Sequence, residues 1–195
     1  MRITGGSLRG RVLAGKVGDG IRPTTARVRE ALFSMVGQDL SGWTVLDAFG
    51  GTGLLGFEAL SRGADAVTIC ERHRGAVRQI RASAAGLGVR VNVRIGDAVH
   101  TLGAGKWNLV LVDPPYDEEP LVWANRAARA TMSVMVVEHR PGVEWPDVIG
   151  ELSLDTVRRH GDSALAIYRA RALSGSDEAD VVVDDAVVIE DEGAG

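Results

Sequence analysis

Short apolar runs alternate with helical stretches along most of this chain. The strand-like runs lie at residues 44–48, 66–70, 89–95, 107–112, 133–138, 152–158 and 164–170. Helical patterns follow several of them, at about residues 53–61, 72–86 and 118–130. Because parallel strands need a long crossover, which a helix commonly provides, this alternation predicts an α/β fold. We expect a doubly wound, mostly parallel sheet with helices on both of its faces.

The last two apolar runs have no helix between them. Residues 160–163, His-Gly-Asp-Ser, join them, and a connection this short predicts an antiparallel hairpin at one edge of the sheet. A further helix is predicted over residues 23–36, which begin Pro-Thr-Thr and stop at Gly37. On that helix, Arg27 and Arg29 are expected to lie off the apolar face.

Composition divides the chain into three segments. Residues 1–22 predict a small basic hairpin or arm, residues 23–173 carry the α/β pattern, and residues 174–195 predict a disordered acidic tail. The last 21 residues hold eight acids and no Lys or Arg, so the rest of the chain has 22 basic and 18 acidic residues. Basic residues dominate the N-terminal end, as expected for a protein that contacts a phosphate backbone, although a solvated arm is the alternative.

Several classes of protein are disfavoured by what the sequence lacks. No apolar run approaches the roughly 20 residues that span a bilayer, and the N-terminus has no apolar signal-peptide core. The one cysteine, Cys70, provides neither a disulfide framework nor a metal-binding spacing. We therefore expect a cytoplasmic protein with no bound metal and no membrane partner. We also expect it to be a monomer.

A glycine-rich turn follows the first strand of the pattern. Gly51, Gly53 and Gly56 fit the spacing G-x-G-x-x-G between an apolar strand and a helical run. Glu71 ends the next strand, where an acid can bind a pair of ribose hydroxyls. Both nicotinamide dinucleotides and S-adenosylmethionine would use this arrangement.

Asp47, just before the turn, distinguishes these two cofactors. An acid there would repel a pyrophosphate, but it suits the ammonium and sulfonium groups of S-adenosylmethionine. Asp97 follows another strand and could accept a hydrogen bond from an adenine amino group, so with Asp113 four strand ends carry acids. The predicted cofactor-binding residues are Thr24, Asp47, Phe49, Gly51, Gly53, Glu71, Asp97 and Ala98.

The segment 113–116, Asp-Pro-Pro-Tyr, is the most informative about chemistry. Neither proline can donate to a sheet ladder, so the strand before them must stop at a position where open α/β sheets bind ligands. The Asp113 carboxylate and the Pro114 carbonyl could accept hydrogen bonds from an exocyclic amine, and Tyr116 could stack on a base. Asp113, Pro114, Pro115 and Tyr116 are the predicted catalytic residues.

With these motifs the chain resembles the bacterial methyltransferases that modify guanine N2 in 16S ribosomal RNA, a Rossmann-like class. The resemblance rests on residues 2–6, 9–11, 22–25, 27–33, 47–53, 56, 58–64, 71 and 113–116. It implies a seven-stranded sheet whose last strand pair is antiparallel, S-adenosylmethionine as the cofactor, and guanine 966 as the target. The implied partner is ribosomal RNA in an assembled or partly assembled small subunit. The chain departs from the family pattern at Ala26, where Asp is common, and in its acidic tail.

The residues leave some alternatives open. Arg9, Arg11, Arg22, Arg27 and Arg29 are the predicted RNA phosphate contacts, but Arg22 and Thr24 could instead close over the cofactor. A methyltransferase for adenine N6 or a glutamine side chain is the first rival, although those enzymes favour Asn where Asp113 stands. A nicotinamide-dependent oxidoreductase is disfavoured by Asp47, and a non-catalytic RNA-binding module by the intact acids.

Overall fold

The structure, a computed structural model, describes residues 1–14, 25–115 and 117–171. The described strands are β1 (Thr44–Asp47), β2 (Ala66–Glu71), β3 (Asn92–Ile95), β4 (Trp107–Val112), β5 (Thr131–His139), β6 (Val148–Ile149), β7 (Leu152–His160) and β8 (Ser163–Ala170). The described helices are α1 (Ala26–Val36), α2 (Leu54–Ser61), α3 (Arg74–Leu87), α4 (Ala98–Leu102) and α5 (Pro120–Ala128). No helix in these ranges is long and apolar enough to cross a membrane.

The strands form one sheet in the order β3-β2-β1-β4-β5-β8-β7-β6. Strands β1 to β5 are mutually parallel, and β8 runs antiparallel between β5 and β7. This confirms the predicted Rossmann-like class with its antiparallel C-terminal hairpin. Chain order reverses between β1 and β4, and at such a switch point open α/β sheets bind ligands outside the carboxyl ends of their strands.

The sheet has eight strands in the described ranges, whereas seven were predicted. The added strand, β6, has only two residues, which pair with Leu152 and Ser153 across a turn at Gly150, whose φ is 59°. Two residues carry no readable periodicity, so the sequence gives no sign of this strand. The predicted strand at 89–95 begins later, at Asn92, because Val89 closes α3: its N–H donates to the carbonyl of Ala84.

Helices cover both faces of the sheet and separate its core into two layers. One layer holds buried side chains of α1, α2 and α3, including Leu32, Phe57 and Ile80. The other holds those of α4 and α5, with Trp123 and Leu102. The alternation of side chains along each strand supplies both layers, because successive residues point to opposite faces.

The predicted N-terminal hairpin is present in residues 1–14, where Arg2 and Val12 form an antiparallel bridge. It is packed into the domain, since Ile3 and Leu13 are buried in the core layer of α1, α2 and α3. The predicted boundaries at 22/23 and 173/174, and the acidic tail, lie outside the described residues.

Arg29 does not have the exposed position that was predicted for it. It is buried, its Nε lies 3.0 Å from Oε1 of Glu58, and it also donates to the carbonyl of Arg2 at 2.9 Å. Glu58 is fully buried and pairs with Arg62 as well. Burial opposes the charge on Glu58, but hydrogen bonds from Arg62 and Arg29 hold its pKa below the ordinary value. The prediction of Arg29 as an RNA contact is therefore wrong, because its guanidinium neutralises a core carboxylate.

Replacing Arg29 by alanine should lower the free energy of unfolding by about 2 kcal/mol. That is the typical value of hydrogen bonds to a charged group, and Arg62 still compensates Glu58 in the variant. The loss of unfolding free energy in Arg29→Ala should shrink as the pH falls below about 4. The native pKa of Glu58 is depressed, so its carboxylate loses the stabilising charge only in that acidic range. Denaturant unfolding measures both effects. The exposed neighbour Arg27→Ala is the control and should stay within about 0.5 kcal/mol of wild type; equal stabilities of the two variants would contradict the assignment.

Candidate active site

A cleft at the carboxyl ends of the parallel strands collects most of the predicted site residues. It lies at the switch point between β1 and β4 and has a volume of about 550 Å³, which is typical of pockets for small molecules and cofactors. The predicted residues that line it are Asp47, Phe49, Gly51, Glu71, Asp97, Ala98, Asp113, Pro114 and Pro115. The structure thus brings the four strand-end acids together in one cleft.

Asp47, at the end of β1, is the most buried of these acids, with 1% of its surface exposed. Its Oδ2 accepts a hydrogen bond from the N–H of Gly56, in the first turn of α2, at 3.0 Å. Burial raises the pKa of Asp47 to about 7; the nearby Glu71 carboxylate adds to the rise, and the Gly56 N–H opposes it. A buried carboxyl group with this pKa favours a cationic ligand, because a positive charge would stabilise its ionised form.

Glu71, at the end of β2, organises the backbone around the cleft. Its Oε2 accepts from the N–H of Gly51 and its Oε1 from the N–H of His73, both at 2.7 Å. The carboxylate therefore fixes the glycine-rich turn relative to the start of α3. A carboxylate has about four lone-pair positions, so both oxygens can still accept from the hydroxyls of a ligand.

The glycine-rich turn is packed closely against β2. A Cβ at Gly50 would lie 2.4 Å from Cγ2 of Ile69, and the Gly50 N–H donates to the carbonyl of Cys70 at 2.7 Å. Gly53 has a φ of 78°, and a Cβ there would lie 3.0 Å from the ring of Phe57 in the core. Gly53 is the N-cap of α2 and shapes the turn into that helix, and its predicted cofactor contact stays a prediction. Among Gly50, Gly51, Gly53 and Gly56, the most closely packed is Gly50, which the spacing did not single out.

Asp97 and Ala98 form the wall beyond β3. The Oδ1 of Asp97 accepts from the N–H of Val99 at 2.8 Å, which makes Asp97 the N-cap of α4. Ala98 is buried and Asp97 is exposed, and both line the cleft. Asp97 therefore both caps a helix and presents an acceptor to a ligand.

Strand β4 ends at Val112, directly before the two prolines, as their lack of N–H groups predicts. Asp113 is half-buried, Pro114 is buried, and the carbonyl of Pro115 accepts from the N–H of Glu118 at 2.9 Å. That turn leads into α5. Because β4 lies beside β1 in the sheet, Asp113 and Asp47 lie on adjacent strand ends of the same cleft.

Two aromatic side chains, Phe49 and Trp123, line one part of the cleft. The ring of Trp123 in α5 meets Phe49 edge-on, with the centroids 4.8 Å apart, and its Nε1 donates to Glu118 at 2.5 Å. Trp123, Glu118 and Arg140 all line the cleft. The path of α5 along the sheet brings Trp123 to this position, which its place shortly after Asp113 in the sequence suggests. Flat apolar surface beside acids suits a ligand with both an aromatic ring and polar groups.

The structure separates the predicted RNA contacts. Arg9 and Arg11 are exposed, but their hairpin packs at the C-terminal ends of α2 and α3: Arg11 donates to the carbonyl of Gly86 at 3.1 Å. Those ends lie at the edge of the sheet opposite the cleft, and the 14 residues of α3 span about 21 Å. Arg27 is exposed in the first turn of α1. Arg22, Thr24 and Tyr116 lie outside the described residues.

Comparisons with known proteins agree with this arrangement. The family model "Conserved hypothetical protein 95" matches residues 1–169. Ribosomal RNA small subunit methyltransferase D of Escherichia coli (strain K12) is 33% identical over 186 residues, which cover 91% of this chain and 93% of that protein. This chain belongs to the same family. The resemblance inferred from the sequence motifs is thereby confirmed at the level of the family.

One further relative and two solved structures also match this chain. A Bacillus subtilis (strain 168) protein named "Putative rRNA methyltransferase YlbH" is 31% identical over 188 residues, 88% of this chain and all of that protein. The solved structure "Putative methyltransferase yhhF from Escherichia coli" has a TM-score of 0.76 and 34% identity, covering 88% of this chain and 98% of that one. SMU.776 complexed with SAH has a TM-score of 0.58 at 11% identity, with 73% of this chain and 48% of that one covered, and shows the shared fold alone.

Proposed function

We propose that this protein transfers a methyl group from S-adenosylmethionine to N2 of a guanine in small-subunit ribosomal RNA. The target that the family resemblance implies is guanine 966 of the 16S RNA. The observation that carries the proposal is the position of Asp113 and Pro114 beside β1, in the same cleft as Asp47, Glu71 and Asp97. The names of two relatives, both of which are called ribosomal RNA methyltransferases, support an action on ribosomal RNA. We further propose that the substrate RNA lies in an assembled or partly assembled small subunit. The enzyme would act as a monomer in the cytoplasm.

The cleft fits S-adenosylmethionine through the chemistry of its acids. The cofactor supplies a methyl group on a sulfonium, and its amino-acid part carries an ammonium. Asp47 is placed to pair with that ammonium, which would hold the buried carboxylate in its ionised form. Glu71 has lone pairs for ribose hydroxyls, and Asp97 presents an exposed acceptor for an adenine amino group. Phe49 and Trp123 provide the apolar wall.

Asp113 and Pro114 would orient the amine that accepts the methyl group. Guanine N2 is a poor nucleophile because its lone pair is delocalised into the ring. Two hydrogen bonds, to the Asp113 carboxylate and the Pro114 carbonyl, would hold both N–H groups so that the lone pair points along the line of transfer. As the new N–C bond forms, positive charge develops on N2, and the Asp113 carboxylate stabilises it. The product proton is acidic enough to leave to water, so Asp113 need not be a strong base.

The identity of the acid favours guanine over the rival substrates. Methyltransferases for adenine N6 or glutamine favour Asn at this position, where this chain has Asp113. A carboxylate provides acceptors only, whereas Asn also presents donors. Guanine presents donors at both N2 and the adjacent N1, which an acceptor-only carboxylate matches, whereas adenine presents an acceptor at N1 beside its N6 amine.

Tyr116 should contribute by stacking on the target base. We expect Tyr116→Phe to retain nearly full activity and Tyr116→Ala to lose about 5- to 150-fold in kcat/KM, because base stacking contributes about 1–3 kcal/mol. Initial rates of methyl transfer to small ribosomal subunits measure both variants. A severe loss in the phenylalanine variant would contradict stacking and indicate a role for the hydroxyl group.

Methyl transfer to small subunits tests the proposed function. Subunits from cells that lack this protein are incubated with the enzyme and tritiated S-adenosylmethionine, and the RNA is digested to nucleosides for mass spectrometry. The proposal predicts N2-methylguanosine at one position. Label in N6-methyladenosine would overturn the base assignment, and label in ribosomal protein would overturn the substrate class. Parallel reactions with protein-free RNA show which form of the substrate is used.

A further inference from the structure

We propose that Arg140, Arg158 and Arg159, here called the arginine surface, bind the RNA backbone next to the target nucleotide. This inference rests on the proposed function, which requires RNA at the cleft. None of the three was among the arginines that the sequence singled out. The structure places them at the edge of the sheet on which the cleft opens.

The strand register fixes the position of the arginine surface. Strand β7 runs parallel to β5, because both are antiparallel to the intervening β8. Arg158 of β7 and Glu138 of β5 both pair with Leu165 of β8. Arg159 and His139, which ends β5, both pair with Ala164 of β8. Both arginines therefore lie level with the carboxyl end of β5, about 10 Å from it across two strand spacings. Arg140 follows β5 directly and lines the cleft, as does Glu138.

The N-terminal arginines lie far from the cleft, so other cations would have to contact phosphates there. Arg9 and Arg11 lie beside the C-terminal ends of α2 and α3, at the opposite edge of the sheet. A nucleotide inserted into the cleft brings its own flanking phosphates to the carboxyl edge, and these need cations within a few ångströms to replace their counterions. Arg140 lines the cleft on its β5 side. Arg158 and Arg159 follow one another on β7, about 10 Å from the end of β5, so their long side chains leave the sheet on its two faces and flank this side of the cleft.

Charged residues of both signs surround the arginine surface. All three arginines are exposed, whereas Glu138 is buried. Asp162, in the turn between β7 and β8, and Glu144, whose neighbour Trp145 donates to His139, are exposed acids in the same region. Asp117 and Glu118 line the cleft together with Arg140. Arg159 donates from Nε to the carbonyl of Gly161 at 3.0 Å, which orients its guanidinium at the turn. Burial lowers the pKa of His139, so that ring adds no charge at neutral pH.

Protection of a sheet edge is the competing explanation for Arg158 and Arg159. Strand β6 pairs only with the first two residues of β7, so the rest of β7 forms an edge of the described sheet. Charged residues on an edge strand discourage pairing with other chains. This explanation does not extend to Arg140, which follows the interior strand β5. Edge protection predicts that loss of the Arg158 and Arg159 charges causes self-association of the protein and leaves its affinity for RNA unchanged.

A matched pair of double variants tests the proposal. Arg158→Gln with Arg159→Gln removes two charges from the arginine surface. Arg90→Gln with Arg129→Gln removes two exposed charges from the opposite edge, before β3 and β5, and leaves the same net charge. Binding to an unmodified small-subunit RNA transcript is measured from 0.05 to about 0.3 M salt, the range over which phosphate contacts dominate affinity. Arg140→Gln is a third variant on a strand that is not an edge.

The proposal predicts about tenfold weaker binding at ~0.15 M salt for the first double variant, with the slope of log affinity against log salt reduced by about 1.5 to 2. Arg140→Gln should weaken binding about threefold, and the control pair less than twofold. Affinity for S-adenosylmethionine should not change in either double variant, because none of their four arginines lines the cleft. Equal RNA binding by the two double variants would overturn the proposal. So would slower methylation of whole subunits with unchanged binding to free RNA, which would indicate a ribosomal protein as the partner.

Failure of this inference can be separated from failure of the proposed function. If the wild-type protein transfers no methyl group to small-subunit RNA, the proposed function is wrong whatever the variants do. If the wild type is active and the arginine surface can be neutralised without effect on RNA binding, only the inference is wrong.

Discussion

Asp113→Ala should reduce the rate of methyl transfer to small-subunit RNA by about 10²- to 10³-fold. Loss of one preorganised group that stabilises developing charge typically has an effect of this size. The affinity for S-adenosylmethionine should stay within a few fold, because the cofactor is expected to contact the acids of β1, β2 and the α4 cap. Single-turnover rates and titration calorimetry measure the two quantities separately.

Asp117→Ala provides the control for this effect, since Asp117 also lines the cleft but is exposed four residues beyond Asp113. It should retain activity within a few fold of wild type. Asp113→Asn keeps one acceptor oxygen and should fall between the wild type and the alanine variant. Full activity in Asp113→Ala would show that the amine is held by other groups, and loss of cofactor binding would show that Asp113 acts on the cofactor.

Asp47→Asn should weaken binding of S-adenosylmethionine about 100-fold and at the same time stabilise the free protein. The affinity falls because a buried ion pair with the cofactor ammonium loses one partner. The stability rises because the native pKa of Asp47, about 7, lies above its unfolded value near 3.9, so ionisation opposes folding. This penalty is absent below pH 4 and complete above pH 7. At pH 8 the variant should gain up to about 4 kcal/mol, since asparagine cannot ionise.

The wild-type affinity should therefore depend on pH. Binding that requires ionised Asp47 should be about tenfold weaker at pH 6 than at pH 8, given a pKa of about 7 in the free protein. Calorimetry in buffers of different ionisation enthalpy should detect proton release on binding at pH 7. Asp47→Asn should bind weakly at all these pH values and release no proton at this site. An equally steep pH dependence in the variant would assign the titration to another group.

The sequence predicts the fold and the core of the cleft because both depend on local pattern. Apolar runs separated by helices determine a parallel sheet, and parallel strands end at the same edge. For that reason Asp47, Glu71, Asp97 and Asp113 could be expected in one place without coordinates. The order β3-β2-β1-β4-β5 then makes β1 and β4 neighbours, and the cleft forms between them.

Predictions failed where a residue's partner is distant in sequence. Arg29 has the periodicity of an exposed residue, but its partner Glu58 is 29 positions away in α2 and burial follows from that pair. Charge clustering predicts Arg9 and Arg11 as RNA contacts; the structure places them away from the cleft, beside the C-terminal ends of α2 and α3, and their role stays a prediction. Such relationships depend on tertiary packing, which local spacing does not encode.

A crystal structure with S-adenosylhomocysteine bound tests the central claim most directly. We expect the product in the cleft at the carboxyl ends of β1 and β4, with its ammonium at the Asp47 carboxylate and its ribose hydroxyls at Glu71. Its sulfur should face Asp113 and Pro114, where the amine of the base would enter. A product bound outside this cleft, or one whose sulfur points away from Asp113, would contradict the account.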